Sequence, residues 1–336
     1  MVKNNFIEII AEVAQGYLGK FELCKTYILS SARAGATAVK FQLVYADELA
    51  TKDYKHYKLF KSLEINFNDW KKLKKIADQN DIKIYFDIFG KKSLRIAENL
   101  GVNGIKVHPT DLINYSLLKK VSRGKINKII MGVGGFTKVD IIKAMHIVKN
   151  NTNKICIMHG FQGYPTRSQD NDLSRILHLK NFYNKEKNIT FGFADHAVPS
   201  QPNSHLASVL AVGIGCAVIE KHITISKILK MEDYESAYNP DEFRNFVSII
   251  KECELIINMK KLNMFRLSKK EKKYSSAISR NFIAIDTIKK NSKLKPEMFY
   301  LKRSSSLYAL KSNLIIENKI VKRNIKKNNP LLKTDI

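Results

Sequence analysis

Residues 218–224, "VIEKHIT", begin as a buried strand and then place three ionisable side chains where an apolar run would normally continue. Side chains alternate faces along a strand, so Glu220 and His222 share one face and Lys221 points the other way. A strand that ends in ionisable groups is typical of a (β/α)8 barrel, because functional side chains there follow the C-terminal ends of the strands. The stretch therefore predicts a barrel, provided that the rest of the chain repeats the pattern.

The rest of the chain repeats it. Short β-branched runs alternate with longer amphipathic segments, and the predicted strands cover residues 7–12, 38–42, 83–87, 104–107, 128–131, 154–159, 189–193 and 217–222. Eight such units in about 260 residues match the (β/α)8 TIM barrel. An open doubly wound sheet is the alternative, but no GxGxxG turn follows the first strand.

The 336 residues exceed what one hydrophobic core usually organises, so a second, smaller domain is expected. We predict a barrel domain at 1–259, a basic linker at 260–277 and a small, mostly β domain at 278–336. No apolar run is long enough to span a bilayer. The four cysteines are widely spaced without a CxxC, which indicates reduced thiols and a cytoplasmic protein.

The formal net charge of +27 is compatible with binding to nucleic acid, to an acidic membrane or to anionic small substrates. The lysines are scattered over helical faces and concentrated in 260–273 and the C-terminal tail, without interleaved aromatics or a nucleic-acid motif. A solvated, lysine-rich surface is therefore favoured over nucleic-acid binding.

Two histidines follow neighbouring predicted strands, His196 in "FADH" and His222 in "VIEKHIT". Because adjacent strands lie about 4.8 Å apart, both imidazoles could hold one divalent cation whose other ligands are water or substrate oxygens. Each histidine could equally be a structural residue that is only hydrogen-bonded. The spacing leaves both interpretations open.

Lys40 and Lys106 interrupt apolar strands, where an unpaired ammonium would be costly, so each must meet an anion. That anion is either an internal carboxylate, such as Asp87 or Asp111, or a phosphate or carboxylate of a substrate. Glu12 closes the first strand and is a candidate acid or base, or simply the partner of Lys40.

The segment "HGFQGYPT", 159–166, follows the sixth strand and offers Gln162 and Tyr164 as hydrogen-bonding groups for a polyhydroxylated ligand. Its glycines and Pro165 could equally form an ordinary tight loop.

Several motifs occur together in a fixed order: "IIAEVAQGYLG", "AGATAVKFQ", "LGVNGIKVHPTDLINYSLLK", "HGFQGYPT", "FADH", "VIEKHIT" and "MEDYESAYNPDEF". In this order and spacing they resemble the sialic acid synthase family, whose members condense phosphoenolpyruvate with an N-acylated mannosamine-type sugar. The tail "SRNFIAIDTIKKNSKLKPEMFYLKRS" resembles the antifreeze-like (SAF) domain of those enzymes.

The resemblance implies roles for individual residues. It implies a divalent cation, Mn²⁺ first and Mg²⁺ or Co²⁺ otherwise, held by His196 and His222, and it implies acid or base chemistry by Glu12 and Asp111. It also implies a domain-swapped homodimer in which Arg303 reaches from the SAF domain into the partner's barrel. The substrate-binding positions that it implies are Lys40, Lys106 and Gln162 for the phosphoenolpyruvate donor, and Gln42, Tyr164, Glu220 and Asp233 for the N-acyl hexosamine acceptor.

The chain departs from the family where relatives place phosphate-binding hydroxyls. The residues at those positions are Asp87, Pro109, Gly132 and Ala194. Two alternatives follow: a legionaminate- or pseudaminate-type synthase that uses a 6-deoxy diacetamido hexose, and a homologue that binds a sugar without turnover.

Overall fold

The computed structural model describes residues 7–149, 154–163, 166–201, 203–257, 267–306, 308–311, 314 and 316–336. The chain divides into two compact units, Met1–Lys260 and Lys261–Ile336.

Within the described part of the first unit, eight parallel strands close into a barrel. They are β1 (Glu8–Ala14), β2 (Ala38–Gln42), β3 (Lys83–Ile88), β4 (Gly104–Val107), β5 (Lys128–Gly132), β6 (Lys154–His159), β7 (Ile189–Asp195) and β8 (Val218–His222). The pairing of β1 with both β2 and β8 closes the cylinder. The predicted TIM barrel is therefore confirmed, and the open-sheet alternative is wrong.

Helices connect the strands on the outside of the barrel. They are α1 (Phe21–Arg33), α2 (Ala46–Leu49), α3 (Tyr57–Ser62), α4 (Phe67–Gln79), α5 (Lys91–Leu100), α6 (Tyr115–Arg123), α7 (Lys138–Val148), α8 (Ser174–Phe182), α9 (Leu206–Gly213) and α10 (Pro240–Ile257). Local chemistry sets several of their ends: the side chains of Asn66 and Thr137 cap α4 and α7, and Gly101 ends α5 at a φ of 61°, a conformation that favours glycine. Among the described residues, no helix is long and apolar enough to cross a membrane.

The core of the first unit has two layers. A large outer cluster packs the helices against the outward faces of the strands. A small inner cluster fills the barrel with residues such as Ile10, Tyr85, Ile130 and Val218. Because the inner cluster occupies the middle of the barrel, inward-facing side chains beyond it meet at one end or the other.

Strand register brings distant residues together at the C-terminal end. Glu12 lies opposite Lys40 of β2 and His222 of β8. Asp87 lies opposite Gln42 on one side and Lys106 on the other. The sheet alone therefore collects charged side chains from five strands at one end of the barrel.

The second unit contains one helix, α11 (Lys269–Ile278), and an antiparallel pair, β9 (Asn281–Ala284) and β10 (Phe299–Lys302), among its described residues. Its apolar core includes Phe282, Leu294 and Phe299. The predicted linker at 260–277 is described only from residue 267, and most of that part is α11, whose N-terminus is capped by Ser268 and Glu271. The domain boundaries and the antifreeze-like assignment stay predictions.

Candidate functional site

A pocket opens at the C-terminal end of the barrel, where inward-facing side chains from the strands and following loops converge. Nine of the residues predicted from sequence line it, namely Glu12, Lys40, Gln42, Lys106, Gln162, His196, Glu220, His222 and Asp233. The cavity between these side chains measures about 30 Å³, which holds no more than a few water molecules. The predicted residues thus share one compact site, crowded with charge.

The three other predicted residues are Asp111, Tyr164 and Arg303. Asp111 is half-buried on the turn after β4, where its Oδ1 accepts a hydrogen bond from Asn114 Nδ2 at 2.9 Å, and it is not among the residues that line the pocket. Arg303 is an exposed residue of the second unit. Tyr164 lies outside the described residues. The roles of all three stay predictions.

Lys40 is the centre of the site. Its ammonium lies 2.5 Å from Asp87 Oδ2, 2.5 Å from Glu12 Oε2 and 3.7 Å from Glu220 Oε2. The contact with Asp87 is a hydrogen bond, whereas the Glu12 contact is an ion pair without hydrogen-bond geometry. The Lys40 side chain is fully buried, so these carboxylates are what makes its charge tolerable there.

Lys106 completes the charged cluster. Its Nζ donates a hydrogen bond of 2.6 Å to Glu220 Oε1, and the other oxygen of Glu220 faces Lys40. Glu220 therefore joins the two lysines. The two kinds of anion considered for the lysines can now be distinguished in the protein by itself. Internal carboxylates neutralise the lysines, Glu220 for Lys106 and chiefly Asp87 for Lys40, with the Glu12 carboxyl group as a further close contact of Lys40.

Glu12 and Asp87 respond differently to this shared burial. Burial raises the pKa of Glu12 to about 8, although the Lys40 ammonium lowers it in part. Burial also acts to raise the pKa of Asp87, but Lys40, Lys106 and His108 outweigh it and leave that pKa below its ordinary value. At neutral pH the cluster therefore holds a protonated Glu12 beside an ionised Asp87.

The two predicted metal-binding histidines meet at the top of the pocket. Their ring centres are 5.5 Å apart. The Nδ1 of His196 lies 2.9 Å from the backbone carbonyl of Phe161, and because a carbonyl only accepts, this nitrogen must carry the proton. Burial lowers the pKa of His196 to about 4 and that of His222 well below its ordinary value, so both rings are neutral at pH 7.

These features fit a divalent cation. Metal-bound histidines must be neutral, and they commonly donate their second ring nitrogen to a carbonyl or carboxylate. Asp233 Oδ2 lies 3.7 Å from His222 Nδ1, and burial raises the pKa of Asp233 to about 6. In the described part of the chain, no group of three or more His, Cys, Asp or Glu side chains is arranged to hold a metal. A cation here would therefore take its remaining ligands from water or substrate.

A second buried pair supports the loop that carries His196. Lys221 points out of the barrel, as its alternation in β8 predicts, and its Nζ contacts Asp195 Oδ1 at 3.1 Å and the carbonyl oxygen of Ala197 at 2.7 Å. The other carboxylate oxygen of Asp195 accepts a hydrogen bond from Ser208. This pair fixes both neighbours of His196, and sequence reasoning did not identify it because the contact joins two strands.

His108 also lines the pocket, although it is not among the site residues predicted from sequence. It lies two residues beyond Lys106, so the alternation of β4 would have placed it on the inner face. Burial lowers its pKa to about 4. By contrast His159, the last residue of β6, is buried away from the pocket, where its Nε2 lies 2.9 Å from the carbonyl oxygen of Asn171.

Comparison with known proteins gives a consistent result. A model of the NeuB family matches residues 27–261. The protein MJ1065 of Methanocaldococcus jannaschii is 29% identical and the match covers 94% of this chain and 90% of that protein. An N,N'-diacetyllegionaminic acid synthase of Legionella pneumophila is 27% identical, with 74% of this chain and 72% of the relative covered. The crystal structure of an N-acetylneuraminic acid synthetase from Leptospira borgpetersenii superposes with a TM-score of 0.72 at 25% identity, covering 83% of this chain and 96% of that one.

Proposed function

Because the chain belongs to the NeuB family of sialic acid synthase-like transferases, we propose that it condenses phosphoenolpyruvate with an N-acylated mannosamine-type sugar, giving a nonulosonate and inorganic phosphate. One observation carries the proposal: two lysines, a glutamate and two histidines converge at the C-terminal end of one barrel. Those are the groups that an anionic donor and an aldehyde acceptor require.

Lys40 and Lys106 are the donor-binding groups in this proposal. Phosphoenolpyruvate carries a phosphate and a carboxylate, and two ammonium groups on the inward faces of β2 and β4 would neutralise and orient them. Gln162, whose side chain also lines the pocket, would add a neutral amide donor. The lysines must release part of their internal carboxylates to do so.

His196 and His222 would hold the divalent cation, with Mn²⁺ as the first candidate. When bound, the cation would supply Lewis-acid polarisation of the acceptor's aldehyde oxygen. The chain's own contribution is to keep both rings neutral by burial and to orient His196 through the Phe161 carbonyl.

Glu12 is the proton donor. Its carboxyl group is protonated at neutral pH, so it can give a proton to the acceptor oxygen as the new carbon–carbon bond forms. Asp111 is a second candidate for proton transfer to or from the water that adds at C2 of the donor. Burial raises the pKa of Asp111, which suits that role, although its hydrogen bond to Asn114 would have to be exchanged.

The acceptor would lie above the lysines, against Gln42, Glu220 and Asp233, with Tyr164 as a further contact. Gln42 accepts a hydrogen bond from Gln15 Nε2 at 2.8 Å, so its amide is held in place by a neighbouring loop. The similarity to a legionaminic acid synthase supports a second candidate acceptor for this site, a 6-deoxy diacetamido hexose.

A turnover assay tests the proposal. The full-length protein is incubated with phosphoenolpyruvate, Mn²⁺ and either N-acetylmannosamine or a diacetamido-6-deoxy hexose, and released phosphate and the keto acid product are measured together. We expect release in equal amounts with one acceptor and none without it. Sugar binding without phosphate release from phosphoenolpyruvate, whichever acceptor is present, would instead identify a homologue that has lost turnover.

The metal part has its own test. His196→Ala and His222→Ala should each abolish saturable Mn²⁺ binding in calorimetry, because the described residues offer the cation just these two histidine ligands. The matched control is His159→Gln, a buried histidine on the same barrel that does not line the pocket, and its Mn²⁺ affinity should equal that of the wild type. Equal Mn²⁺ affinity in the wild type and all three variants would show that His196 and His222 do not hold the cation.

We further propose that the second unit is an antifreeze-like domain of a swapped homodimer whose Arg303 enters the partner's barrel. Mixing inactive Glu12→Gln with weakly active Arg303→Ala subunits tests this arrangement. In a swapped heterodimer one site has both wild-type residues, so random exchange should recover about a quarter of wild-type activity. No recovery after verified subunit exchange would mean that each barrel uses its own Arg303, or none.

A further inference from the structure

The strongest unexplained feature of the pocket is Asp87. Its Oδ2 bonds to Lys40 at 2.5 Å, while its Oδ1 is buried and has no hydrogen-bond partner among the described residues. The side chain is 1% exposed and lines the pocket. A buried carboxylate oxygen without a partner is costly, so Asp87 brings an unused acceptor into the pocket beside its ion pair with Lys40.

The acidic groups around Lys40 oppose the binding of an anionic donor. The carboxyl groups of Glu12, Asp87 and Glu220 all lie within 4 Å of its ammonium, Asp87 is ionised at neutral pH because its pKa is lowered, and Lys106 is already paired with Glu220. A donor phosphate brings a charge of about −1.5 to −2 at neutral pH. The phosphate would meet an ionised Asp87 at the very lysine that has to bind it.

At three further positions of the pocket, no neutral side-chain donor compensates for the repulsion between Asp87 and a phosphate. Pro109 has no backbone N–H, and its ring closes the space beside Gly132, where a Cβ would come within 2.7 Å of the proline Cδ. Ala194 contributes only a methyl group to the pocket. No side-chain hydroxyl is therefore offered at these three positions, so the charges of Lys40 and Asp87 gain weight in the binding of an anion.

We propose that Asp87 is an internal counter-anion that occupies the phosphate-binding position of Lys40, and that a donor binds only by displacing it. This inference rests on the proposed function for the identity of the donor, but its physical content applies to any phosphate. Asp87 then sets the donor affinity of this chain low and keeps Lys40 neutralised between turnovers.

The test compares Asp87→Asn, which removes the charge at constant size, with the wild type. Calorimetric titration with inorganic phosphate, and separately with phosphoenolpyruvate, should show binding about 10- to 100-fold tighter in the variant, as expected for removing one like charge at close range. Asp87→Thr is the second variant, because it removes the charge and adds a hydroxyl donor. It should tighten phosphate binding at least as much and covers the case in which Asp87→Asn does not fold.

Glu8→Gln is the matched control. It also removes a buried carboxylate that pairs with lysines on the inner face of β1, but at the opposite end of the barrel, so phosphate affinity should not change. Unchanged or weaker phosphate binding in the folded Asp87 variants, or no detectable binding in any of them, overturns the inference.

The outcomes separate this inference from the proposed function. If the wild type turns over phosphoenolpyruvate but the Asp87 variants bind phosphate no better, the function stands and the counter-anion role is wrong. If no protein turns over yet the Asp87 variants bind inorganic phosphate more tightly, the counter-anion role stands and the synthase function is wrong.

Discussion

Two glutamates on the same face of β1, Glu8 and Glu12, have pKa values shifted in opposite directions. Glu8, at the N-terminal end of the barrel, accepts hydrogen bonds from the Tyr85 hydroxyl at 2.5 Å and from Lys83 at 3.1 Å, while its second oxygen lies 2.9 Å from Lys128. Burial would raise its pKa, but Lys128, Tyr85 and Lys83 outweigh it and lower the pKa below its ordinary value. Both oxygens of Glu8 are thus satisfied.

Glu12, four residues along, is held differently. Its Oε1 accepts a hydrogen bond from the backbone of Ala14 at 2.9 Å, and its Oε2 has only the ion pair with Lys40. Asp87 and Glu220 raise its pKa further, after burial itself. The same residue type on one strand is therefore ionised at one end of the barrel and protonated at the other.

The difference follows from the ratio of charges. At the N-terminal end two lysines surround one carboxylate, so the cluster is closed by its own contacts. At the C-terminal end three carboxylates surround Lys40, and several of their oxygens lack hydrogen bonds within the described residues. This is the division expected of a TIM barrel, whose N-terminal end serves stability and whose C-terminal end serves chemistry.

The largest expected effect comes from removing Lys40. In Lys40→Met the buried cluster of Glu12, Asp87 and Glu220 loses its shared cation, which leaves the ionised Asp87 unpaired, and the free energy of unfolding should fall by about 3–5 kcal/mol at pH 7. Urea unfolding measures it. The loss should shrink as pH falls through the lowered pKa of Asp87, because that carboxylate then becomes neutral. An unchanged urea midpoint at pH 7 would contradict the view that Lys40 holds the cluster together.

Glu12→Gln should have the next largest effect, and on activity rather than stability. Without its proton donor, kcat should fall about 10²- to 10⁴-fold. Wild-type activity should decline as pH rises above about 8, where Glu12 loses its proton, and the variant should lack that decline. The pH profiles of kcat for both proteins provide the measurement.

Thermal unfolding is the control for that variant. A raised pKa means that the fold loses stability as pH rises from the ordinary value of 4.5 toward about 8. Glu12→Gln removes this loss, so it should be at least as stable as the wild type above pH 8. A variant that is both unstable and inactive there would point to a structural role for Glu12 instead.

Much of this site follows from sequence, because alternation is a local property. The eight strands are signalled by β-branched runs, and period-two alternation places Glu12, Lys40, Lys106 and Glu220 on the inner face. Once the barrel is recognised, their convergence at one end is a consequence of the fold. His196 and His222 follow in the same way from two neighbouring strand ends.

What sequence could not supply is the pairing between strands and the paths of the loops. The bond between Lys40 and Asp87 depends on the register of β2 against β3, and the pair of Lys221 with Asp195 on that of β8 against β7. Asp233 reaches the pocket from a loop well beyond β8, so no alternation predicts it. Long-range contacts of this kind are set by the packing of the whole barrel.

Glu8→Gln should cost stability and leave the chemistry untouched. It removes the ionised partner of Lys83 and Lys128, and the free energy of unfolding should fall by about 1–3 kcal/mol. Because the pKa of Glu8 is lowered, its contribution is present above the ordinary value of 4.5 and disappears as pH falls through the folded pKa. The stability difference between variant and wild type should therefore vanish at low pH.

The accompanying kinetic measurement sharpens the contrast with Glu12. The Michaelis constant for phosphoenolpyruvate and kcat should match the wild type at a temperature where both are folded. A tenfold change in either constant would show that the two ends of the barrel are coupled and that Glu8 also affects catalysis.

Lys83→Met should have the smallest effect, because the lysine side chain is 47% exposed and Glu8 keeps Lys128 and Tyr85. Partly exposed ion pairs contribute about 0–1 kcal/mol, so the urea midpoint should move little. It is the matched counterpart of Lys40→Met, because both variants remove an ammonium that contacts a glutamate on the inner face of β1. In Lys83→Met a second lysine, Lys128, remains beside Glu8, whereas in Lys40→Met no second lysine contacts Glu12 among the described residues. Equal losses in the two variants would mean that burial alone, and not the ratio of charges, governs both ends of the barrel.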